Sequence, residues 1–300
     1  MKNSVNKGIL SLFFIAAIAA ADIACWYEIL RVPTAGRNEI FPSIHFLDVG
    51  QGDAELVLFP EGTVVLTDAG PSGPAVLGAI DPIFGLRGGS IDLIVISQPS
   101  LDHFGGIPDI LDHYRVGAIV YNGRDASPGV SAWPALLEKI SAKKIPLITL
   151  GEGDRLHVGS SGEIDILSPD REFAENQKIA DTGIVQLVKA GSLRALFAAD
   201  MGSEMENILI VRYGAFMKAD IIKIANNGSK NSSGGTFLTL VSPRMAVIEV
   251  GAKNSYHEPA SETLARIISS TSASIFRTDE DGTVTVFRGS NGALSARSTR

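Results

Sequence analysis

Short apolar runs closed by polar clusters recur along this chain and predict most of its architecture. Ile91–Ile96 is long enough for a buried strand and too short for a helix. It stops at Ser97-Gln98-Pro99, and a loop delivers Asp102-His103 before Gly105-Gly106 and a helical stretch, Ile107 to Val116. Three later runs end in the same way. Leu193–Ala199 leads to Asp200, Ile221–Ala225 to Asn226-Asn227, and Val247–Val250 soon afterwards to His257-Glu258. Ser43 to Thr67 reads as strand-rich, then helix and strand alternate to Leu150. A second strand-rich stretch, Asp154 to Ala199, precedes alternating elements to Phe287, with helices at Glu204–Tyr213 and Ser261–Ser270. Two β-then-α/β halves fit an α/β class, a four-layer αββα sandwich with one sheet and its outer helices per half. Ligands in such folds bind outside the carboxyl ends of the strands, where all four clusters fall. Polar loops and helix caps account for each cluster taken singly.

The amino terminus has a different pattern. Lys2 and Lys7 precede an apolar stretch from Ile9 to Ala21, which continues past a single charge, Asp22, to Leu30. About 20 such residues span a bilayer, so residues 1–30 are expected to be a signal anchor, with Trp26 and Tyr27 at the far interface. The alternative is a cleaved signal peptide with Ala17-Ile18-Ala19 as its cleavage site. Both readings export the folded part, to remain at the cell membrane or to be secreted. Residues 31–42 read as a linker with Pro33, Gly36 and Pro42, residues 43–290 as one large domain, and 291–300 as a flexible polar tail. Cys25 is the only cysteine, so a disulfide within the domain is excluded. The net charge of -7 disfavours broad nucleic-acid binding, although Lys218, Lys223, Lys230 and Arg244 are candidates for a small basic patch.

Three strings carry more specific information: LDVGQGD with LTDAG (Leu47–Gly70), ISQPSLDHFGG (Ile96–Gly106) and IANNGSKNSSGG (Ile224–Gly235), followed by NSYHEP (Asn254–Pro259). Their wording and order resemble the metallo-β-lactamase-fold domain of ComEC-type DNA-uptake (competence) proteins, over most of the chain from Ile44 to Phe287. That family usually shows "DVGQGD", "IDxG", "SHPHxDHxGG", "GD" after a strand, "HHGSKNSS" and "N-x-x-YGHP". The resemblance implies a metal-dependent hydrolase or nuclease ancestry and a two-metal site. The positions of its ligands are Gln98, Ser100, Asp102 and His103, the bridging Asp200, the pair Asn226-Asn227, and Glu258 with His257 one place earlier. Most of the histidines have therefore been replaced, with Gln98, Ser100 and Glu258 as degraded ligand positions.

The remaining ligands set chemical limits. Catalytic zinc takes three firm ligands, preferably imidazole or thiolate, plus water. Asp102, His103 and Asp200, with an amide oxygen from Asn226 or Asn227, make a harder and weaker set suited to one Mn²⁺ or Mg²⁺, or to no metal. Zn²⁺ is not expected at full occupancy, and one cation cannot clamp both attacking and leaving oxygens. The preferred reading is a catalytically degraded, membrane-anchored domain that binds DNA or another phosphate-bearing or anionic ligand. A one-metal phosphodiesterase or nuclease using Asp102, His103 and Asp200, and a cell-envelope scaffold, are the alternatives. Ser229, Lys230, Asn231 and Ser232 are expected to steady a phosphate with free backbone N–H groups at a helix start. Asp48 and Asp53 are expected to brace their glycine loop through backbone N–H groups, and Asp68 to lie beneath the metal position. Full-length relatives carry a many-helix channel and no second spanning run occurs here, so a separate channel protein is an expected partner.

Overall fold

Short strands buried mostly on both faces build two sheets in the computed structural model, which describes residues 41–85, 89–170 and 180–300. The first sheet contains β1 (Ser43–Phe46), β2 (Glu55–Leu58), β3 (Val64–Thr67), β4 (Ser90–Ile96), β5 (Arg115–Tyr121) and β6 (Leu147–Thr149), extended by β14 (Val284–Arg288) and β15 (Leu294–Ser298). Its order is β15-β14-β1-β2-β3-β4-β5-β6. The second contains β7 (Arg155–Val158), β8 (Gly162–Ser168), β9 (Val185–Ala190), β10 (Leu193–Phe197), β11 (Ile221–Lys223), β12 (Met245–Ile248) and β13 (Ser274–Arg277), in the order β13-β12-β11-β10-β9-β8-β7. In each, one half is antiparallel and the other, β3 to β6 or β10 to β13, is parallel.

Helices cover the outer faces. The first sheet carries α1 (Gly73–Phe84), the single turn α2 (Leu101–Phe104), α3 (Ile107–His113) and α4 (Ala132–Ala142). The second carries α5 (Ser203–Tyr213), α6 (Gly235–Val241) and α7 (Ser261–Ser270), and a last turn, α8 (Thr278–Asp281), leads into β14. Three apolar layers result. Ile44, Phe46, Val57, Val95, Phe197, Ile221 and Val247 fill the space between the sheets. Leu66, Ile94, Ile110 and Trp133 lie under the first helices, and Leu196, Ile222, Phe237 and Ile267 under the second. The expected four-layer αββα sandwich is thus the architecture observed.

Two expectations need correction. The stretch read as helical to Val116 ends at His113, because Tyr114 turns extended (φ -119°, ψ 153°) and the β-branched run Val116–Val120 pairs parallel to β4. The tail is not loose. Leu294–Ser298 pairs with β14, and the Arg300 guanidinium reaches the Asp48 carboxylate at 2.5 Å, so the compact unit extends to Arg300. The anchor or signal segment (1–30) and nearly all of the linker lie outside the described residues. Among the described residues, no helix is long and apolar enough to cross a membrane.

Candidate functional site

The parallel strands β3, β4, β10 and β11 all end at one rim, and their following loops meet there. At the end of β4, Ser97 is held by Asp68, whose carboxylate accepts from its N–H (2.8 Å) and its hydroxyl (2.6 Å). Turn α2 is tied to β3 by Ala69 N–H donating to the His103 carbonyl at 2.7 Å. The loop after β1 lies directly on α2. Asp53 N–H donates to the Asp102 carbonyl at 3.3 Å, and a side chain at Gly52 (φ 155°) would collide with that carbonyl. The glycine therefore permits the close approach that brings the loop into the site.

His103 lies at the centre and is fully buried. Its Nδ1 is 2.7 Å from Asp68 Oδ2 and its Nε2 is 3.1 Å from Asp200 Oδ2. Asp102 Oδ2 is 3.9 Å from the same Nε2. Asp102, His103 and Asp200 each offer one ligand atom, all within 4.8 Å of one another. The Gln98 side-chain amide fills the adjoining space, with its Nε2 2.7 Å from His103 Nε2 and 2.6 Å from Asp200 Oδ2. Two buried acceptors nearby, Asp200 Oδ1 and Gln98 Oε1, have no hydrogen-bond donor. Buried acceptors without donors call for water or a cation.

Charge follows from this geometry. Burial works against an imidazolium at His103, but Asp200 and Asp68 outweigh it and raise its pKa well above the usual value. Burial would raise Asp200, yet His103, Lys223 and the Gln98 amide hold it down to about 2. Asp102 is raised, first by burial and then by Asp200, against the pull of His103. Its side chain is 39% exposed and is the member of the group that faces solvent.

A second buried cluster adjoins the first, and no sequence pattern singled it out. Lys223, read above as part of a surface patch, is wholly buried and ion-paired with Asp53. Its Nζ also donates to the Ala199 carbonyl at 3.1 Å. Burial disfavours its charge, but Asp53, Asp200, Glu55 and Glu249 more than compensate and raise its pKa. Burial and the Asp53 charge push Glu249 up to about 8, and Glu55 also rises well above its usual value. One signal was available: Glu55 and Lys223 are charged residues at the ends of buried strands and Glu249 directly follows another, and burial there requires paired partners.

Several other expectations change. Asp53 does not brace its loop through the backbone, because its carboxylate binds Lys223 and accepts from Asn227 Nδ2 at 3.0 Å. Asp48 pairs with Arg300 instead. The Asn227 amide donates to Asp53 and the Glu249 carbonyl (2.9 Å), and its Oδ1 accepts from Gln51 at 3.1 Å. Asn226 bonds through its backbone to the Ala199 carbonyl, and Ser100 precedes α2 without a side-chain cap bond. Glu258 does reach the rim, accepting from Gln51 Nε2 at 3.2 Å, whereas His257 is exposed. Next to the loop of Ser229, Lys230, Asn231 and Ser232, two backbone donors are already taken within the protein. Glu206 of α5 accepts from Ser233 N–H and from Gly234 N–H (2.8 Å), just before α6 begins. Arg266 binds the carbonyls of Lys230 (3.0 Å), Ser232 (2.6 Å) and Ser233 (3.2 Å), and the Ser232 hydroxyl donates to the Ala225 carbonyl at 2.8 Å.

Comparisons with known proteins agree with this architecture. Residues 47–248 match the family model described as the Metallo-beta-lactamase superfamily. The chain is similar to ComE operon protein 3 of Bacillus subtilis (strain 168), 24% identical over 258 residues that make up 80% of this chain and 32% of that protein. Competence protein ComA of Neisseria gonorrhoeae is 31% identical over 133 residues, 43% of this chain and 19% of that one. The chain therefore corresponds to at most about a third of these relatives' length. Among solved structures, the metallo-beta-lactamase fold protein YhfI of Bacillus subtilis has a TM-score of 0.54 at 13% identity, covering 85% of this chain and 99% of that one.

Proposed function

This chain belongs to the metallo-beta-lactamase superfamily, and from that premise we propose that it is an exported, membrane-anchored domain of the ComEC type whose hydrolytic site has become a binding site. The observation that carries this reading is the position of the Gln98 amide, whose Nε2 lies 2.7 Å from His103 Nε2 and donates to Asp200 Oδ2 at 2.6 Å. It occupies room that a second cation and its imidazoles would need, and Ser100 brings no replacement ligand. What remains is an acidic rim of Asp102, Asp200 and Glu258 that repels phosphate by itself. Asp102, His103 and Asp200 fit a single Mn²⁺ or Mg²⁺, because the unpaired Asp200 Oδ1 and the exposed Asp102 carboxylate are hard oxygen donors. When bound, that cation would supply the positive charge for a phosphate-bearing ligand. Asp68 fixes the imidazole through Nδ1, leaving Nε2 directed at the rim. DNA is the proposed ligand, from the resemblance to competence proteins, and a separate channel protein the proposed partner.

A second reading, a one-metal phosphodiesterase or nuclease, draws on the solvent-facing Asp102. Metal analysis and thermal unfolding of the full chain with Mn²⁺, Mg²⁺, Zn²⁺ and a chelator separate these readings. Binding without hydrolysis predicts a Mn²⁺ or Mg²⁺ shift lost in Asp102→Ala, with no cleavage of single-stranded DNA until Gln98→His and Ser100→His are introduced together. Metal-dependent cleavage by the unaltered chain, abolished in Asp102→Ala, would establish the hydrolase. No response to any cation would leave the scaffold.

A further inference from the structure

The end of the sandwich opposite the acidic rim is where β10, β11 and β12 begin, and its chemistry is reversed. Here lies an open depression of about 610 Å³ lined by Arg194, Lys218, Asp220, Ser242 and Arg244. Lys218 and Arg244 are exposed on its walls. Asp220, the acid within it, is already taken by Arg288 at 2.7 Å. Glu61 on the neighbouring β2–β3 turn stays anionic, held by the hydroxyls of Ser160 (2.5 Å) and Ser161 (3.1 Å), but does not line the depression. Arg194, Lys218 and Arg244 leave the depression itself cationic in a chain whose net charge is -7.

Two aromatic side chains are exposed at this end. Arg194 donates to the carbonyls of Lys218 (2.6 Å) and Phe216 (2.7 Å) and stacks on the Phe216 ring at 5.7 Å, so the turn Gly214–Met217 is held with Phe216 41% exposed. Phe41, 70% exposed, precedes β1, and its neighbour Pro42 packs against Gly191 in the β9–β10 turn. Arg288 joins the two places, donating to the Ser192 carbonyl at 3.0 Å while holding Asp220. The domain is thus joined to the forty residues before it at the end that carries the cations and aromatics.

We propose that this end is a membrane-docking surface for anionic phospholipid headgroups, which turns the acidic rim away from the bilayer. The inference rests on the membrane-anchored reading of residues 1–30, because an anchor holds the Phe41 end close to the leaflet. Exposed aromatics suit the interfacial layer, and each basic residue near an anionic leaflet strengthens association about fivefold.

The test uses the full chain reconstituted in vesicles of phosphatidylcholine, with or without phosphatidylglycerol. Ala215→Cys at the depression and Asn231→Cys at the opposite rim, each combined with Cys25→Ser, carry a fluorophore quenched by nitroxide-labelled headgroups. Several-fold stronger quenching at position 215 only when phosphatidylglycerol is present, lost in Lys218→Glu with Arg244→Glu, supports the surface. Equal quenching at both positions, or no dependence on phosphatidylglycerol, overturns it. Alkaline extraction reports on the anchor separately. A chain that resists extraction but shows no quenching at 215 keeps its anchor and loses the surface. A chain that is released, yet still docks on phosphatidylglycerol through 215, keeps the surface and loses the anchor.

Discussion

Two buried polar clusters lie side by side at one rim of this sandwich and are neutralised in opposite ways. Around Lys223 the cation is internal: the buried ammonium meets Asp53, while Glu55 and Glu249, each with one unpaired carboxyl oxygen, have raised pKa values that favour the neutral acid. Around His103 the acceptors outnumber the donors, leaving Asp200 Oδ1 and Gln98 Oε1 unpaired and Asp102 open to solvent. Burial alone does not make a functional site. A cluster sealed from solvent around its own ammonium supports the fold, whereas one with a carboxylate open to solvent can be reached by a ligand.

The largest effect should come from breaking the closed cluster. Lys223→Met leaves Asp53 as an uncompensated buried carboxylate and is expected to cost about 3–5 kcal/mol in urea unfolding. A loss below 1 kcal/mol would mean that the ammonium contributes little.

The next effect concerns a buried titratable group paired only with hydroxyls. His45 is bracketed by Ser43 and Thr285, each at 3.0 Å, and burial, with Arg297, lowers its pKa to about 4. The unfolded ring takes up its proton near pH 6.5 and the folded ring only near 4. The unfolded state therefore binds more protons between these values, and stability falls as pH drops through the window. The loss from this group is about 3 kcal/mol in full, and pH-dependent denaturant curves of His45→Gln should lack it.

Smaller still is the cost of freeing the start of α6. Glu206→Ala leaves two backbone donors unpaired and should cost about 1–2 kcal/mol. If phosphate then protects the variant in thermal unfolding but not the parent chain, the carboxylate fills a genuine anion position. The smallest change in stability belongs to the open cluster. Asp102→Asn, at the half-exposed member, should alter metal-free stability by about 1 kcal/mol or less while abolishing the Mn²⁺-dependent shift. A large loss without metal would place Asp102 with the structural cluster.

The sandwich was legible because strands buried on both faces read as short, mostly apolar runs, and Ile91–Ile96, Leu193–Ala199 and Ile221–Ala225, each with one charged residue, all contribute strands. The meeting of Asp102, His103 and Asp200 was legible for a related reason, since residues following parallel strands share one rim. The role of Lys223 was not. It pairs with Asp53, 170 positions away, and Glu249 accepts from Ala54 N–H at 3.2 Å across a separation of 195. Nor did the GSKNSS string reveal that Glu206 would occupy its N–H groups. The tail looked loose because its residues are polar, and edge strands carry polar residues.

Residue order and type were enough to specify two apolar-layered sheets and the rim where the loops gather. Which buried charges meet was left to the folded state. Partners such as Lys223 and Asp53 come from different sheets, and their distance depends on how those sheets pack face to face. That packing also sets the sealed cluster around Lys223 apart from the solvent-facing one around His103.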